Sequence, residues 1–138
     1  MRTAAQILAE SRTIAVVGAS RDPSKTAHAV PRQILKRGWH VIPVNPYTDE
    51  IWGERCYRTL ADIPEPVDLV NVFRPAADTP EVARQAVAIG ARALWLQQDI
   101  ASAEARAIAE AAGMDYVEDH CIAVERALSQ LSLIGGTP

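Results

Sequence analysis

The chain has 138 residues, a length that suits one domain and leaves no room for a cofactor domain beside a separate substrate domain. Hydrophobic residues make up 49% and charged residues 22%, so the chain can build a core and global disorder is not expected. A formal net charge of -3 argues against a non-specific nucleic-acid binder, which would normally be basic.

Two cysteines, Cys56 and Cys121, are too few for a disulfide scaffold and lack metal spacing. His28, His40 and His120 show no metal spacing either. The first twelve residues have no apolar segment long enough for a signal peptide. No run approaches the roughly 18 apolar residues of a membrane span. The expected compartment is therefore the cytoplasm.

In chain order, residues 3–11 read as a short helix with Ile7 and Leu8 on its apolar side. Thr13–Val17 (TIAVV) is an apolar, β-branched run closed by Gly18, as expected of a strand buried on both faces. A polar loop over 19–25 leads to a helical stretch over 27–37, with Ala27, Val30 and Ile34 on one face and Gly38 as its stop. Proline fits only a first helical turn, so this helix is expected to begin close to Pro31. His40–Val44 is a second strand. Pro43 points to a sheet edge or bulge there. Residues 45–66 form a long connection, with Pro46, Gly53, Pro64 and Pro66, and are expected to hold only short pieces of structure.

Residues 68–73 (DLVNVF) make a third strand, and 79–89 a helix with Val82, Ala86 and Ile89 on one face. Ala93–Leu96 (ALWL) is a fourth strand, 102–112 an Ala-rich helix capped by Ser102, and 114–117 a fifth strand. Residues 122–131 close the chain as a helix, and 133–138 read as a tail. The alternation predicts an α/β fold: a Rossmann-like, doubly wound sheet of about five parallel strands with helices on both faces. One domain over 1–138, with its core over 13–132, is expected.

In such sheets ligands bind beyond the carboxyl ends of the strands. After the first strand stand Gly18, Ala19, Ser20 and Arg21, with Lys25 nearby. Glycine permits a tight turn, free amides at the helix start suit a phosphate, and Arg21 and Lys25 add charge. The fuller phosphate motifs fail. Ser20 and Pro23 occupy later glycine positions of a dinucleotide fingerprint, Pro23 replaces the second glycine of a P-loop, and Asp22 breaks a nucleophile elbow. After the second strand, Asn45-Pro46 stands where NAD-binding folds usually put an acid. Asn45 repels no phosphate, so a phosphorylated ribose is tolerated better than NAD. Phe73, Arg74 and Pro75 follow the third strand, and Gln97-Gln98 the fourth. Glu118 and Asp119 read as helix N-terminal charge, and Cys121 as a free, inert thiol.

The segments IAVVGASRDPSKTAHAV, VIPVNPYTDEIWGERCYRTLADIP, VDLVNVFRP, ALWLQQDI and EDHCIAVE resemble the stand-alone CoA-binding domain proteins. These are similar to the N-terminal CoA-binding domain of the succinyl-CoA synthetase alpha subunit. The resemblance covers about residues 14–128. It implies coenzyme A as the ligand, with phosphates at Gly18, Ala19, Ser20, Arg21 and Lys25. It implies further contacts at Asn45 and Pro46, at Phe73, Arg74 and Pro75, and at Trp95, Leu96 and Gln97 beside the pantetheine arm. Tyr47 stands where related sequences often have a basic residue, which weakens a phosphate contact at that turn. The synthetase's phosphorylated histidine belongs to a second domain, so neither acyl-CoA synthesis nor a phosphohistidine step follows.

The leading expectation is a non-catalytic module that binds CoA or an acyl-CoA, with no nucleic-acid or membrane partner. A protein partner or homo-oligomer stays open. The alternative is an NAD(P)-binding, oxidoreductase-like or redox-sensing protein, supported by fold alone. A thioesterase or acyltransferase using His120 or Cys121 is a third reading, without a convincing catalytic set.

Overall fold

The computed structural model describes residues 2–134, so residues 135–138 of the tail expected over 133–138 lie outside the described residues. Helix α1 (Ala4–Glu10) precedes strand β1 (Thr13–Val17), and α2 (Thr26–Lys36) precedes β2 (His40–Val44). A small antiparallel hairpin follows, β3 (Glu50–Ile51) and β4 (Glu54–Arg55). Then come β5 (Leu69–Val72), α3 (Thr79–Ala88), β6 (Ala93–Leu96), α4 (Ala103–Ala111), β7 (Asp115–Val117) and α5 (Ile122–Leu128). Five strands form one sheet in the order β2-β1-β5-β6-β7, with every pairing in it parallel. This is the α/β, Rossmann-like fold that the alternation predicts.

Strand residues alternate between two apolar layers. Ala15, Val70, Val72, Leu94 and Leu96 face one core with Val82, Ala86, Ala105 and Ala109 of α3 and α4. Ile14, Val16, Leu69, Ala93 and Trp95 face the other, with Ile7, Leu8, Ile34 and Ile122 of α1, α2 and α5. The sheet is thus covered on both sides, which is why its central strands read as unbroken apolar runs.

Three expectations are corrected. Helix α2 starts at Thr26, so Pro31 is its sixth residue and lies beyond the first turn. The third strand begins at Leu69 because Asp68 turns its carboxylate onto the Arg12 and Thr13 amides, at 2.9 and 3.0 Å. The last helix ends at Leu128, and Leu133 then docks by donating its amide to the Arg37 carbonyl at 2.8 Å. Pro43 does sit on an edge strand, as its missing donor requires. Its carbonyl accepts from the Tyr57 amide at 3.0 Å, and the Asn45 amide donates to the Tyr57 carbonyl at 2.9 Å. The connection after β2 therefore folds back along the edge and brings Arg58 and Thr59 toward the strand ends.

Candidate functional site

The site begins where three strand ends converge. Gly18 adopts φ 86°, and its amide donates to the Val44 carbonyl at 3.1 Å. A Cβ there would stand 2.7 Å from the Phe73 carbonyl oxygen and 3.0 Å from Arg74 Cδ. Only glycine combines that backbone with that approach.

The following loop is held from four sides. Pro31 has no N–H for the Ala27 carbonyl, and that carbonyl accepts from the Ser20 amide instead, at 3.2 Å. The Ser20 carbonyl lies 2.7 Å from His28 Nδ1. A carbonyl only accepts, so Nδ1 carries the hydrogen. The His28 ring sits 5.8 Å from that of Trp52, whose indole N–H donates to the His28 carbonyl at 3.0 Å. Asn45 Nδ2 donates to the Ala19 carbonyl at 2.8 Å, while its Oδ1 accepts from the Tyr47 amide at 2.7 Å. Asn45 thus joins the first two loops and builds its own turn. Its Nδ2 retains a second hydrogen for a ligand. The Ser20 hydroxyl accepts from the Asp22 amide at 3.1 Å, which leaves its hydrogen free to donate. Bonds from the amide and hydroxyl of Ser24 hold the Asp22 carboxyl below the usual carboxylate range.

A cleft of about 370 Å³ opens over these ends. Gly18, Ala19, Ser20, Asn45, Pro46 and Arg74 of the expected set line it together. Arg21 and Lys25 do not line it and stand exposed on the loop. Lys25 is the N-cap of α2 and makes no side-chain cap, so the first-turn amides have no side-chain acceptor there. Arg58, Thr59 and Gln85 also line the cleft, and sequence reasoning passed over all three. Arg58 donates to the Pro46 carbonyl and lies 3.4 Å from Asp49. It supplies positive charge beside the turn where Tyr47 supplies none. Arg74 is anchored by Asp78 at 2.8 Å and remains half exposed. A polar hollow of about 530 Å³ lies on the other side of Arg58, where Asp49 and Asp62 balance the charges of Arg55 and Arg58.

The remaining expected residues are placed differently. Phe73 packs at the margin of the α1/α2/α5 core, and Pro75 leads the short turn into α3. Trp95 and Leu96 are fully buried on opposite faces of the sheet and form a floor beneath the strand ends. Trp95 donates its indole N–H to the His120 carbonyl at 2.7 Å. Gln97 accepts at Oε1 from the Ile122 amide at 3.3 Å and from Asn71 Nδ2 at 3.4 Å. Asn71 is buried within β5, and its Oδ1 has no partner among the described residues. An apolar reading of DLVNVF gave no hint of it.

Gln97 also lines a second cavity of about 240 Å³, with Thr26, Val30, Gln98, Asp99 and Cys121. His120 turns its Nε2 to Glu125 Oε1 at 2.8 Å, which ties the imidazole to α5. Glu118 and Asp119 do not serve the start of α5. Tyr116 donates its hydroxyl to Glu118 at 2.7 Å, and Asp119 accepts from the Asp99 amide at 2.7 Å. Burial and the Glu118 carboxylate push the Tyr116 phenol up, so it remains a donor.

A parallel sheet with its polar cleft and glycine turn at the carboxyl ends of β1, β2 and β5 defines a Rossmann-like architecture. The chain belongs to the CoA binding domain family, whose model matches residues 12–127. It is 37% identical over 125 residues to the Bacillus subtilis (strain 168) protein YneT, covering 91% of this chain and 93% of that one. The solved structure of cell-free ID.343 from Thermus thermophilus superposes with a TM-score of 0.86 at 37% identity, over 90% of this chain and 94% of that one. An acetate–CoA ligase (ADP-forming) of Methanocaldococcus jannaschii is 30% identical over 71 residues, 51% of this chain but 10% of the ligase.

Proposed function

We propose that this protein binds coenzyme A or an acyl-CoA as a non-catalytic module, with the adenosine diphosphate end in the cleft over β1, β2 and β5. One observation carries the reading: in a member of the CoA binding domain family, the glycine turn, Ser20, Asn45, Arg58 and Arg74 line a single cleft at the strand ends. Arg58 and Arg74 meet phosphate with charge-assisted hydrogen bonds, and the Ser20 hydroxyl and the second Asn45 Nδ2 hydrogen donate to it. The side chain after β2 is an amide, so a 3′-phosphorylated ribose meets no carboxylate there. Arg21 and Lys25 act at longer range, by raising the local potential at the cleft mouth. CoA is an intracellular cofactor, so the reading assigns the protein to the cytoplasm.

Titration calorimetry with CoA, acetyl-CoA, NAD and NADPH tests this reading. CoA and acetyl-CoA are expected to bind at one site per chain, with NAD at least about tenfold weaker, a gap of about 1.4 kcal/mol. Binding of NAD in the absence of CoA binding would overturn the reading.

A further inference from the structure

We propose that Tyr47 is the base-stacking residue of the cleft, the platform on which the adenine of a bound CoA lies. The proposal rests on the CoA-binding reading above. It gives a role to the one aromatic side chain among the described residues that line the cleft.

Tyr47 stands apart from the other tyrosines and the tryptophans. Trp39, Trp52 and Trp95 each donate an indole N–H to a backbone carbonyl, at 3.1, 3.0 and 2.7 Å. Tyr57 and Tyr116 each lie under a guanidinium, of Arg55 and Arg106, whose central carbon is 5.1 Å from the ring centre in both. Tyr47 is 89% exposed, the most exposed of the large hydrophobic side chains, and no ring or cation pairs with it among the described residues. Its backbone is nonetheless fixed. The Tyr47 amide donates to Asn45 Oδ1 at 2.7 Å, and Arg58 holds the carbonyl of the preceding Pro46. A free ring on a fixed turn loses little freedom when a ligand covers it.

The sheet order says which part of the ligand Tyr47 meets. The side chain that follows the second strand of such folds stands beside the ribose, and here that residue is Asn45. Strand β2 is an edge strand, so Gly18, Ser20 and Arg74, which follow β1 and β5, lie inward of it. Tyr47 lies two residues beyond Asn45, on the outer side. Val44 pairs with Tyr57 there, which brings Thr59 along the same edge. Helix α3 packs against the short turn at Leu60–Asp62 and carries Gln85 to the cleft. With the diphosphate over Gly18, Ser20 and Arg74 and the ribose at Asn45, the base falls toward Tyr47. Thr59 and Gln85 then offer neutral hydrogen-bonding groups to the base edge. Stacking needs a π-face and no particular hydrogen bond, so the ring matters and its hydroxyl does not.

Titration calorimetry of wild type, Tyr47→Phe and Tyr47→Ala with CoA and with adenosine 3′,5′-bisphosphate tests the proposal. Tyr47→Ala should weaken both ligands by about tenfold, while Tyr47→Phe stays within about twofold of wild type. Tyr47 is exposed, so the ligand-free thermal midpoints of the three should agree within about 3 °C. Stacking also lowers the adenine absorption band. That drop should accompany saturation of wild type and Tyr47→Phe and be absent with Tyr47→Ala. Wild-type affinity in Tyr47→Ala, a Tyr47→Phe variant as weak as Tyr47→Ala, or a loss confined to CoA overturns the proposal and leaves the CoA-binding reading standing. So does failure of wild type to bind the bisphosphate while it binds CoA. Absence of CoA binding by wild type overturns that reading, and this proposal with it.

Discussion

Gly18 shows how one residue constrains the whole cleft. The nearest neighbour of an added methyl is a backbone oxygen, at 2.7 Å, so no rotamer change relieves the contact. The left-handed backbone adds about 1–2 kcal/mol against any L side chain. Gly18→Ala should therefore lower the thermal midpoint by at least about 4 °C. An unchanged midpoint in scanning calorimetry would refute the close approach of the β1 and β5 ends. Arginines are ranked by the same local reasoning. Arg58 and Arg74 face the cleft, while Arg21 and Lys25 do not line it. Arg58→Ala and Arg74→Ala should each weaken CoA binding by about tenfold, the worth of one charge-assisted bond. Arg21→Ala and Lys25→Ala should cost about threefold or less, as screened surface charges do. Titration calorimetry on the four variants checks the ranking, and a reversed order defeats it. Gly18 and Arg74 were legible as cleft-lining residues because each stands within two residues of a strand end. Arg58 was not, because it reaches the cleft only through the pairing of Tyr57 with Pro43 and Asn45.

At the scale of elements, α2 and α5 show where pattern reading succeeds and where it stops. The apolar spacing of α2 was legible, but its start was not. A proline at the sixth position is expected to break a helix, and here its missing donor serves the neighbouring loop. Pro31→Ala restores an N–H that competes with Ser20 for the Ala27 carbonyl. Amide exchange at Ser20 should then accelerate, and unchanged protection in hydrogen exchange would contradict this coupling. Helix α5 is short and closed by a polar relay that no periodicity announces. Glu125 accepts from the Ser129 hydroxyl and pairs with His120 at 2.8 Å. The Ser129 bond first, and His120 second, hold its carboxyl below the usual range. A depressed carboxyl stabilises the fold above its unfolded value, about 4.3, and that contribution is lost as pH falls through the folded value. The stability gap between wild type and Glu125→Gln should be full at pH 6–7 and close progressively below about pH 4. Denaturant melts at the two pH values measure it, and a gap that widens in acid would reverse the assignment.

For the molecule as a whole, strand and helix alternation made the doubly wound sheet legible, since burial on both faces leaves continuous apolar strands. The position of the cleft was legible as well, because the carboxyl edge of such a sheet is where its loops converge. The charge balance was the least informative feature. A net charge of -3 predicts repulsion of a polyanion such as CoA, yet Arg58 and Arg74 are brought to one cleft from connections far apart in sequence. Attraction is then local and repulsion diffuse, and the two respond differently to salt. At low ionic strength the diffuse negative field reaches the ligand, and at about 0.15 M it is screened beyond roughly 8 Å. Contacts between a phosphate and an arginine lie within that length and are screened less. CoA affinity should therefore fall only modestly, by less than about tenfold, between about 0.05 and 0.5 M salt, unlike the steep loss seen for binding to extended basic surfaces. Ligand-induced shifts of the thermal midpoint give the readout, because saturation at 100 times Kd adds about 2.7 kcal/mol. Near-complete loss of the shift at 0.5 M salt would mean that a broad field, rather than the arginine-lined cleft, holds the ligand.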